Sequence, residues 1–358
     1  MILDPYHNLP PRPASHNYNR TLILPFVVWK IGDVVIDGAA ILAPMSGFTS
    51  KGYRDFMDPF GVSLSFTEMA SDMGIIHGGR RTSEYIELDD DGMTGVQLFG
   101  SDPDDLSEAA RIVVENKPDT TLIDINMGCP VSKIVCNDAG SSLMRDPKRC
   151  GDIIRKVKSK VDVPVTAKIR LGWSLKEMNF MEVIDELQSA DVDMISLHVR
   201  TKKEGYAGEP HYEFVEGLRK RMSVPLAISG NIYSLDDAID AVNTTGAEAV
   251  MVARGGVGNP FLVTQIDRYF RTGERLPNPT VRQQAEWCIG LMDKLSDNMD
   301  EDTLIRKMRC YAPKFIAGCH GCREHRLRLA TQTDSRESLI GMLDSIVSEM
   351  GDARIGDR

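Results

Sequence analysis

The stretch Ile123-Asp124-Ile125-Asn126-Met127-Gly128-Cys129-Pro130 decides how this chain is read. Ile123 and Ile125 fall on one face and Asp124 and Asn126 on the other, the two-residue period of a strand. The run stops at Met127-Gly128, and a thiol follows just past its carboxyl end. Pro130 lacks an N–H and disfavours helix at Cys129, so the thiol is expected on a fixed turn. In parallel barrels and open α/β sheets, that edge carries the chemistry. A buried structural cysteine is the alternative that the octapeptide leaves open.

Outward from this strand the same pattern recurs. Short β-branched runs fall at 40–45, 63–69, 94–100, 121–127, 163–170, 194–200, 224–230 and 248–254. Polar, helix-like segments separate them. Residues 102–117 open with Asp-Pro-Asp-Asp and place Leu106, Ala109, Ala110 and Val113 at helical spacing. Residues 146–160 open with Asp-Pro and close with Lys-Ser-Lys, in keeping with the helix dipole. Eight strand–helix units without a break predict an α/β fold of the (β/α)8 TIM-barrel type, with a doubly wound open sheet as the runner-up. The longest interval between strand starts runs from 121 to 163, after the strand that leads to Cys129, leaving room for a lid or substrate wall. Before the first unit, 26–30 and 34–36 flank Gly32-Asp33 as a hairpin suited to plug the barrel floor.

The expected organisation is a Pro-rich extension over 1–29, a barrel over 30–271, a Pro/Gly linker over 272–279, a small helical domain over 280–350 and a polar tail over 351–358. Helical periodicity in the fourth part is visible at 283–295 and 335–349. No stretch approaches the roughly 20 apolar residues of a membrane span. Residues 1–20 hold Pro5, Pro10, Pro11 and Pro13 but no basic start with an apolar core, so a secretory signal is not expected. Seven cysteines, an odd number, suit reduced thiols in the cytoplasm. A net charge of −10 argues against a nucleic-acid partner until its distribution is considered. Residues 303–328 carry Arg306, Lys307, Arg309, Lys314, Arg323, Arg326 and Arg328 against Glu324 alone, a local charge of +6 on a chain that is otherwise −16.

Strand five places Thr166, Lys168 and Arg170 on one face, and strand six does the same with Ser196, His198 and Arg200. Barrel interiors are usually filled with branched apolar side chains, so cations there suggest an anionic ligand; a salt-bridge network with Asp124 and Glu68 is the alternative. Ser229-Gly230-Asn231 ends strand seven and Ala253-Arg254-Gly255 ends strand eight, where this fold favours phosphate. Pro44, Met45 and Ser46 after strand one supply a wall, and Gln97 an amide for a flat heteroaromatic ring. Phosphate, flat ring and cation together point to flavin mononucleotide (FMN), with Lys168 stabilising negative charge on the reduced ring.

The segments 43–49 (APMSGFT), 96–103 (VQLFGSDP), 124–130 (DINMGCP), 166–173 (TAKIRLGW), 198–201 (HVRT) and 252–255 (VARG) closely resemble the tRNA-dihydrouridine synthases, in the family's order. The resemblance implies FMN-mediated reduction of a tRNA uridine at its C5–C6 double bond, with NADPH (or NADH) as cosubstrate. It places Pro44, Met45, Ser46, Gln97 and Lys168 at flavin-binding positions, and Ser229, Gly230, Asn231, Ala253 and Arg254 at phosphate-side turns. His198 supports the flavin, Cys129 is the general acid, and Asn126 and Arg170 hold the uracil edge. Arg306, Lys307 and Arg309 of the helical domain meet tRNA. A monomer with no membrane partner is expected. Three departures stand out. The family's Asn-Gly-Asp turn is Ser229-Gly230-Asn231, the loop after Cys129 is less basic than usual, and the family's Arg-Lys-His run is Arg306-Lys307-Met308. The 1–29 extension has no counterpart. No metal site is expected, although Cys310, Cys319, Cys322 and His325 are grouped closely enough to raise zinc as an alternative. Competing functions are an FMN-dependent dehydrogenase of free pyrimidines (dihydroorotate or dihydropyrimidine type), against which the basic appendage argues, and a tRNA-binding protein without catalysis, against which Cys129, Lys168 and Arg254 argue.

Overall fold

The computed structural model describes residues 27–297 and 299–356. Most of the 1–29 extension, and the last two residues of the polar tail, lie outside them. Eight parallel strands, β1 (Ala40–Leu42), β2 (Leu64–Phe66), β3 (Thr94–Phe99), β4 (Leu122–Asn126), β5 (Val165–Arg170), β6 (Met194–His198), β7 (Leu226–Ser229) and β8 (Ala249–Val252), pair in order, and β8 pairs with β1. The ring is closed. The open-sheet runner-up is thereby excluded. Ile123 and Ile125 pack outward among helix side chains such as Leu106 and Val113, so Asp124 and Asn126 face the barrel interior. The same alternation sends Ala167, Ile169, Ile195 and Leu197 outward and leaves Lys168, Arg170 and His198 inside.

The helix layer follows its start signals. Helix α1 (Lys51–Met57) follows β1, and the short α2 (Asp72–Ile76) follows β2. Asp102 accepts from the N–H groups of Asp104 and Asp105 at the start of α3 (Pro103–Asn116). Leu106, Ala109, Ala110 and Val113 form its buried face. Asp146 caps α4 (Pro147–Lys158) at Arg149 N–H, and α5 (Phe180–Ser189) follows β5. The sixth unit departs from expectation. Two short 3-10 turns, Tyr212–Val215 and Leu218–Arg221, replace its helix on either side of left-handed Gly217. Helices α6 (Leu235–Thr245) and α7 (Phe261–Thr272) complete the ring.

The hairpin Val28–Ile31/Val34–Asp37 closes the floor as its sequence suggests. Trp29, Ile31 and Ile36 pack with Ile41, Leu64, Phe66, Leu122, Met194 and Met251 inside the ring. Burial of three such side chains contributes on the order of 1.5–3 kcal/mol each before entropy.

Beyond left-handed Gly273 the chain forms four helices where periodicity showed two: α8 (Val281–Ser296), α9 (Glu301–Phe315), α10 (Arg323–Thr331) and α11 (Arg336–Met350). Helix α10 buries only His325 and Leu329, too few apolar positions to register as a period. Gly52 of α1 lets α8 approach; a Cβ there would meet Lys294 O at 2.8 Å. Tyr53 stacks on Tyr311 with ring centroids 5.7 Å apart, and Phe56 meets Phe315 at 6.4 Å. One continuous apolar core therefore joins barrel and helices. No described helix is long and apolar enough to cross a membrane.

Candidate active site

The carboxyl ends of β3, β4 and β5 converge through buried hydrogen bonds. Thr166 Oγ1 donates to Asp124 Oδ1 (2.6 Å), Gln97 Nε2 donates to Asp124 Oδ2 (2.7 Å), and Asn126 Nδ2 donates to Gln97 Oε1 (2.8 Å). Asn126 Oδ1 then accepts from the backbone N–H groups of Gly128 (3.1 Å) and Cys129 (2.8 Å). The strand interior thus fixes the turn on which the thiol sits. Asn126 spends its oxygen on the turn that carries Cys129. Gln97 likewise has both amide ends engaged, with one N–H left over.

Cys129 is 8% exposed and packs with Ile134 and Ala139 of the long loop after β4, against Met69 and Phe99. That loop, the longest between strands, therefore packs directly on the thiol. Burial pushes the Cys129 thiol above the ordinary range, outweighing the pull of a backbone N–H at Val131 and of Arg170 and Lys168. The thiol keeps its proton at neutral pH.

Cations surround it. Arg170 Nε donates to Gly128 O (2.7 Å), and Nη1 donates to Thr201 O (3.1 Å) and Gly205 O (2.7 Å), lacing the Cys129 turn to the loop after β6. Arg200 donates to Ala207 O, Gly208 O and Asn231 Oδ1 (2.8 Å) and lies 3.2 Å from His198 Nε2. Among the described residues neither arginine is spent on a carboxylate, which disposes of the salt-bridge alternative for them; Glu68 instead accepts from Gly47 N–H. Burial, then the neighbouring Arg170, Lys168, Arg200 and Arg254, hold His198 well below its ordinary value, so it is neutral. Burial and Arg170 lower Lys168 to about 8 despite the opposing Asp124, and it remains mostly protonated at pH 7.

Asn231 has a left-handed φ of +51°, which asparagine tolerates. Its amide oxygen accepts from Arg200, so the loss of an acid at this turn keeps an acceptor in place. Gly230 has φ +146°, and a Cβ there would meet Val199 Cγ2 at 2.6 Å. Ser229 is buried beside His198 in register. Ala253 and Arg254 are half-buried after β8, and Pro44 and Met45 after β1, with Ser46 exposed; Thr49 braces Met45 through its N–H and carbonyl.

Sequence reasoning missed Tyr206. It is 55% exposed, with Arg170 5.2 Å and Arg254 5.6 Å from its ring centre and His198 edge-on at 6.3 Å. It lies on an irregular loop without periodicity, and only the flanking Gly205 and Gly208 mark the place. Arg306, Lys307 and Arg309 stand apart, on α9. That helix touches the site's edge, because Tyr311 OH donates to Phe48 O (2.9 Å). The Cys310, Cys319, Cys322 and His325 group does not assemble; Cys310 is exposed, His325 Nε2 meets Glu349 (3.2 Å), and no three His, Cys, Asp or Glu among the described residues form a metal-holding set.

Asp124 supplies a pH test. Burial pushes its carboxyl up to about 6, against the hydrogen bonds from Gln97 and Thr166 and the charge on Lys168. Between the unfolded value near ~3.9 and about 6, the native state binds the extra proton, so this group's contribution to stability falls as pH rises and is flat above. Asp124→Asn should remove that slope. Denaturant unfolding at several pH values from 4 to 7 checks it, and parallel curves for parent and variant would refute the assignment.

The family model described as dihydrouridine synthase matches residues 41–350. The chain is 37% identical over 323 residues to a Synechocystis protein named probable tRNA-dihydrouridine synthase 1, covering 89% of each chain. It is 32% identical over 309 residues to tRNA-dihydrouridine synthase B of Pseudomonas aeruginosa, covering 86% of this chain and 92% of that one. Among solved structures, histamine dehydrogenase from Rhizobium sp. 4-9 superposes with a TM-score of 0.53 at 14% identity, covering 92% of this chain. This chain spans 65% of that structure's length, and the likeness is one of fold.

Proposed function

Because the chain belongs to the dihydrouridine synthase family, we propose that it reduces the C5–C6 double bond of specific uridines in tRNA to 5,6-dihydrouridine. FMN is the redox cofactor and NADPH, or NADH, the reductant. The observation that carries this reading is a buried thiol, fixed by Asn126 on the turn after β4, at the same barrel mouth as the inward-facing Lys168 of the neighbouring strand. The residues present fit a flavin. Among the described residues Lys168 has no carboxylate in ion-pair contact and Ser196 Oγ, beside it in register, is buried without a partner, and the turns after β7 and β8 lie close enough that a Cβ on Gly255 would clash with Ile232 O.

Bound and reduced, the flavin supplies a hydride for C6. Every other part is played by this chain. The Cys129 thiol gives its proton to C5 from the opposite face and recovers one from solvent, which requires the thiol and not the thiolate. Asn126 and Gln97 hold that thiol in place; Gln97 would also meet the flavin's edge, and Asn126, through its amide N–H, the uracil edge. Lys168, with neutral His198 near it, would offer positive charge to the reduced ring, Arg254 and the turns 229–231 and 253–254 would hold the phosphate, and Pro44, Met45 and Ser46 would line the flavin. Arg170 presents the uracil edge. Barrel residues 30–271 form the catalytic part and helices 280–350 the tRNA-binding part. Seven free cysteines suit a reducing compartment, and the protein acts in the cytoplasm as a monomer.

The purified protein should be yellow and carry FMN without a covalent link. Lys168→Ala should weaken FMN retention or slow its reduction by NADPH. A colourless protein that takes up no added FMN overturns the flavin reading, and tRNA from cells lacking the protein, unchanged in dihydrouridine at every position, overturns the substrate.

A further inference from the structure

Three separate barrel loops meet here, two of them bringing cations to an aromatic ring carried by the third. Arg145 ends the 3-10 turn of the loop after Cys129, Trp173 lies on the Gly172–Ser174 strand after β5, and Lys202 follows β6. The Arg145 guanidinium lies 4.9 Å and the Lys202 ammonium 4.5 Å from the centre of the Trp173 ring. Lys202 N–H donates to Gly172 O (2.9 Å) and Lys203 N–H to Trp173 O (3.0 Å), so the 202–203 backbone is fixed against the strand. Among the described residues, no carboxylate lies in ion-pair contact with Arg145, Lys202 or Lys203. Glu177, on the same hairpin, is bonded to Ser174 Oγ, and Glu204 to Thr201 and His211. Elsewhere on this acidic chain exposed cations pair readily, as Arg111 does with Glu108 and Glu115, and Lys156 with Asp104.

Such an arrangement costs repulsion between like charges. A tryptophan face offsets part of it, on the order of 0.5–2 kcal/mol per cation. What remains is a preorganised pair of cations without a carboxylate in ion-pair contact among the described residues, a site for an anion. Its scaffold is that of the active site. Ser141 N–H donates to Cys129 O (3.0 Å) in the turn leading to Arg145, and Arg170 ties Gly128 to Thr201 just before Lys202.

Topology places the ridge across the mouth from the C-terminal helices, of which α9 is basic. Helix α9 touches the loop after β1 through Tyr311 and Phe48, while α8 reaches the loop after β8 through Gln284 Nε2 and Gly258 O (3.0 Å). In a closed ring of eight strands, β5 is four strands from β1, the diametric position.

We propose that Arg145, Trp173, Lys202 and Lys203 form a second tRNA-backbone anchor. It faces the helical one across the opening that holds Cys129, so that the RNA is gripped on both sides of the target uridine. The inference rests on tRNA being the substrate.

The test is filter or fluorescence binding of unmodified tRNA to the flavin-loaded protein across a salt series. The proteins compared are the parent, Arg145→Glu/Lys202→Glu, and Lys202→Glu/Lys203→Glu. Each lost phosphate contact should flatten the dependence of log affinity on log salt by about 0.7–0.9. Each double variant is expected to bind at least about tenfold more weakly with a flatter slope, while NADPH still reduces the flavin at the parent's rate. Trp173→Phe, which keeps a face for the cations, should lose less than Trp173→Ala. If the parent binds tRNA and both double variants match its affinity and slope, the ridge is not an anchor and the tRNA reading stands. If the parent binds no tRNA, both fall together.

Discussion

Cys129→Ala is expected to lose uridine reduction by a factor of about 10² to 10⁴, the usual contribution of one general acid. It should still bind FMN and still be reduced by NADPH. The separation follows from geometry. Cys129 sits in its own small apolar cluster with Ile134 and Ala139, and its turn is held by Asn126 through backbone groups that alanine retains. Burial keeps the thiol protonated, so it can act only as a proton source at neutral pH. The alkaline limb of the parent's rate should accordingly lie above the ordinary thiol value of about 8.5, and the variant should lack that limb. Single-turnover mixing of reduced enzyme with tRNA measures both. A variant as fast as the parent in that step would remove Cys129 from the mechanism.

The barrel was legible because parallel strands leave a double signature. Inward positions such as Asp124, Lys168 and His198 are polar at the carboxyl ends, while outward ones such as Ile125 and Ile169 remain apolar. The sixth helix was not legible as absent. Its residues are spent instead on turns around Gly217, and Tyr212 OH donates to Gly230 O (2.7 Å) at the seventh strand's turn. Residue period says nothing about such a reassignment.

The roles of the polar residues were only half visible. Asn126 was read as a uracil contact, and its oxygen has a further task, accepting two backbone N–H groups in the next turn. Asparagine followed by Met-Gly-Cys could have signalled that Asx-type bond. Tyr206 had no such signal, since its neighbours Arg170 and Arg254 come from β5 and the loop after β8. Contacts between residues that far apart in sequence become visible only when the ring closes.

Reversing the charge of α9 should have the second large effect, loss of tRNA binding with flavin reduction intact. The structure refines which residues to change. Arg309 Nε donates to Thr333 O (2.6 Å), bracing α9 to the segment after α10, so altering it mixes folding with binding. Arg306 is exposed, bonded only to Thr303 on its own helix, and Lys307 lies half-buried without a carboxylate partner among the described residues. Met308, where the family carries a histidine, is fully buried, so that replacement alters the core beneath the surface and leaves the cationic face in place. Arg306→Glu/Lys307→Glu is therefore the cleaner variant. Two lost phosphate contacts should flatten the log–log salt slope by roughly 1.4–1.8, and the added acids should weaken binding further at low salt, where screening is least. The triple variant with Arg309→Glu should bind no better and should unfold at lower denaturant concentration. If the double variant keeps the parent's slope and affinity, tRNA does not lie on α9. The RNA is then held elsewhere, and the ridge of Arg145 and Lys202 over Trp173 is the next cationic surface to change; the dehydrogenase of free pyrimidines regains its place only if the parent itself binds no tRNA, because the barrel mouth alone would then define the substrate.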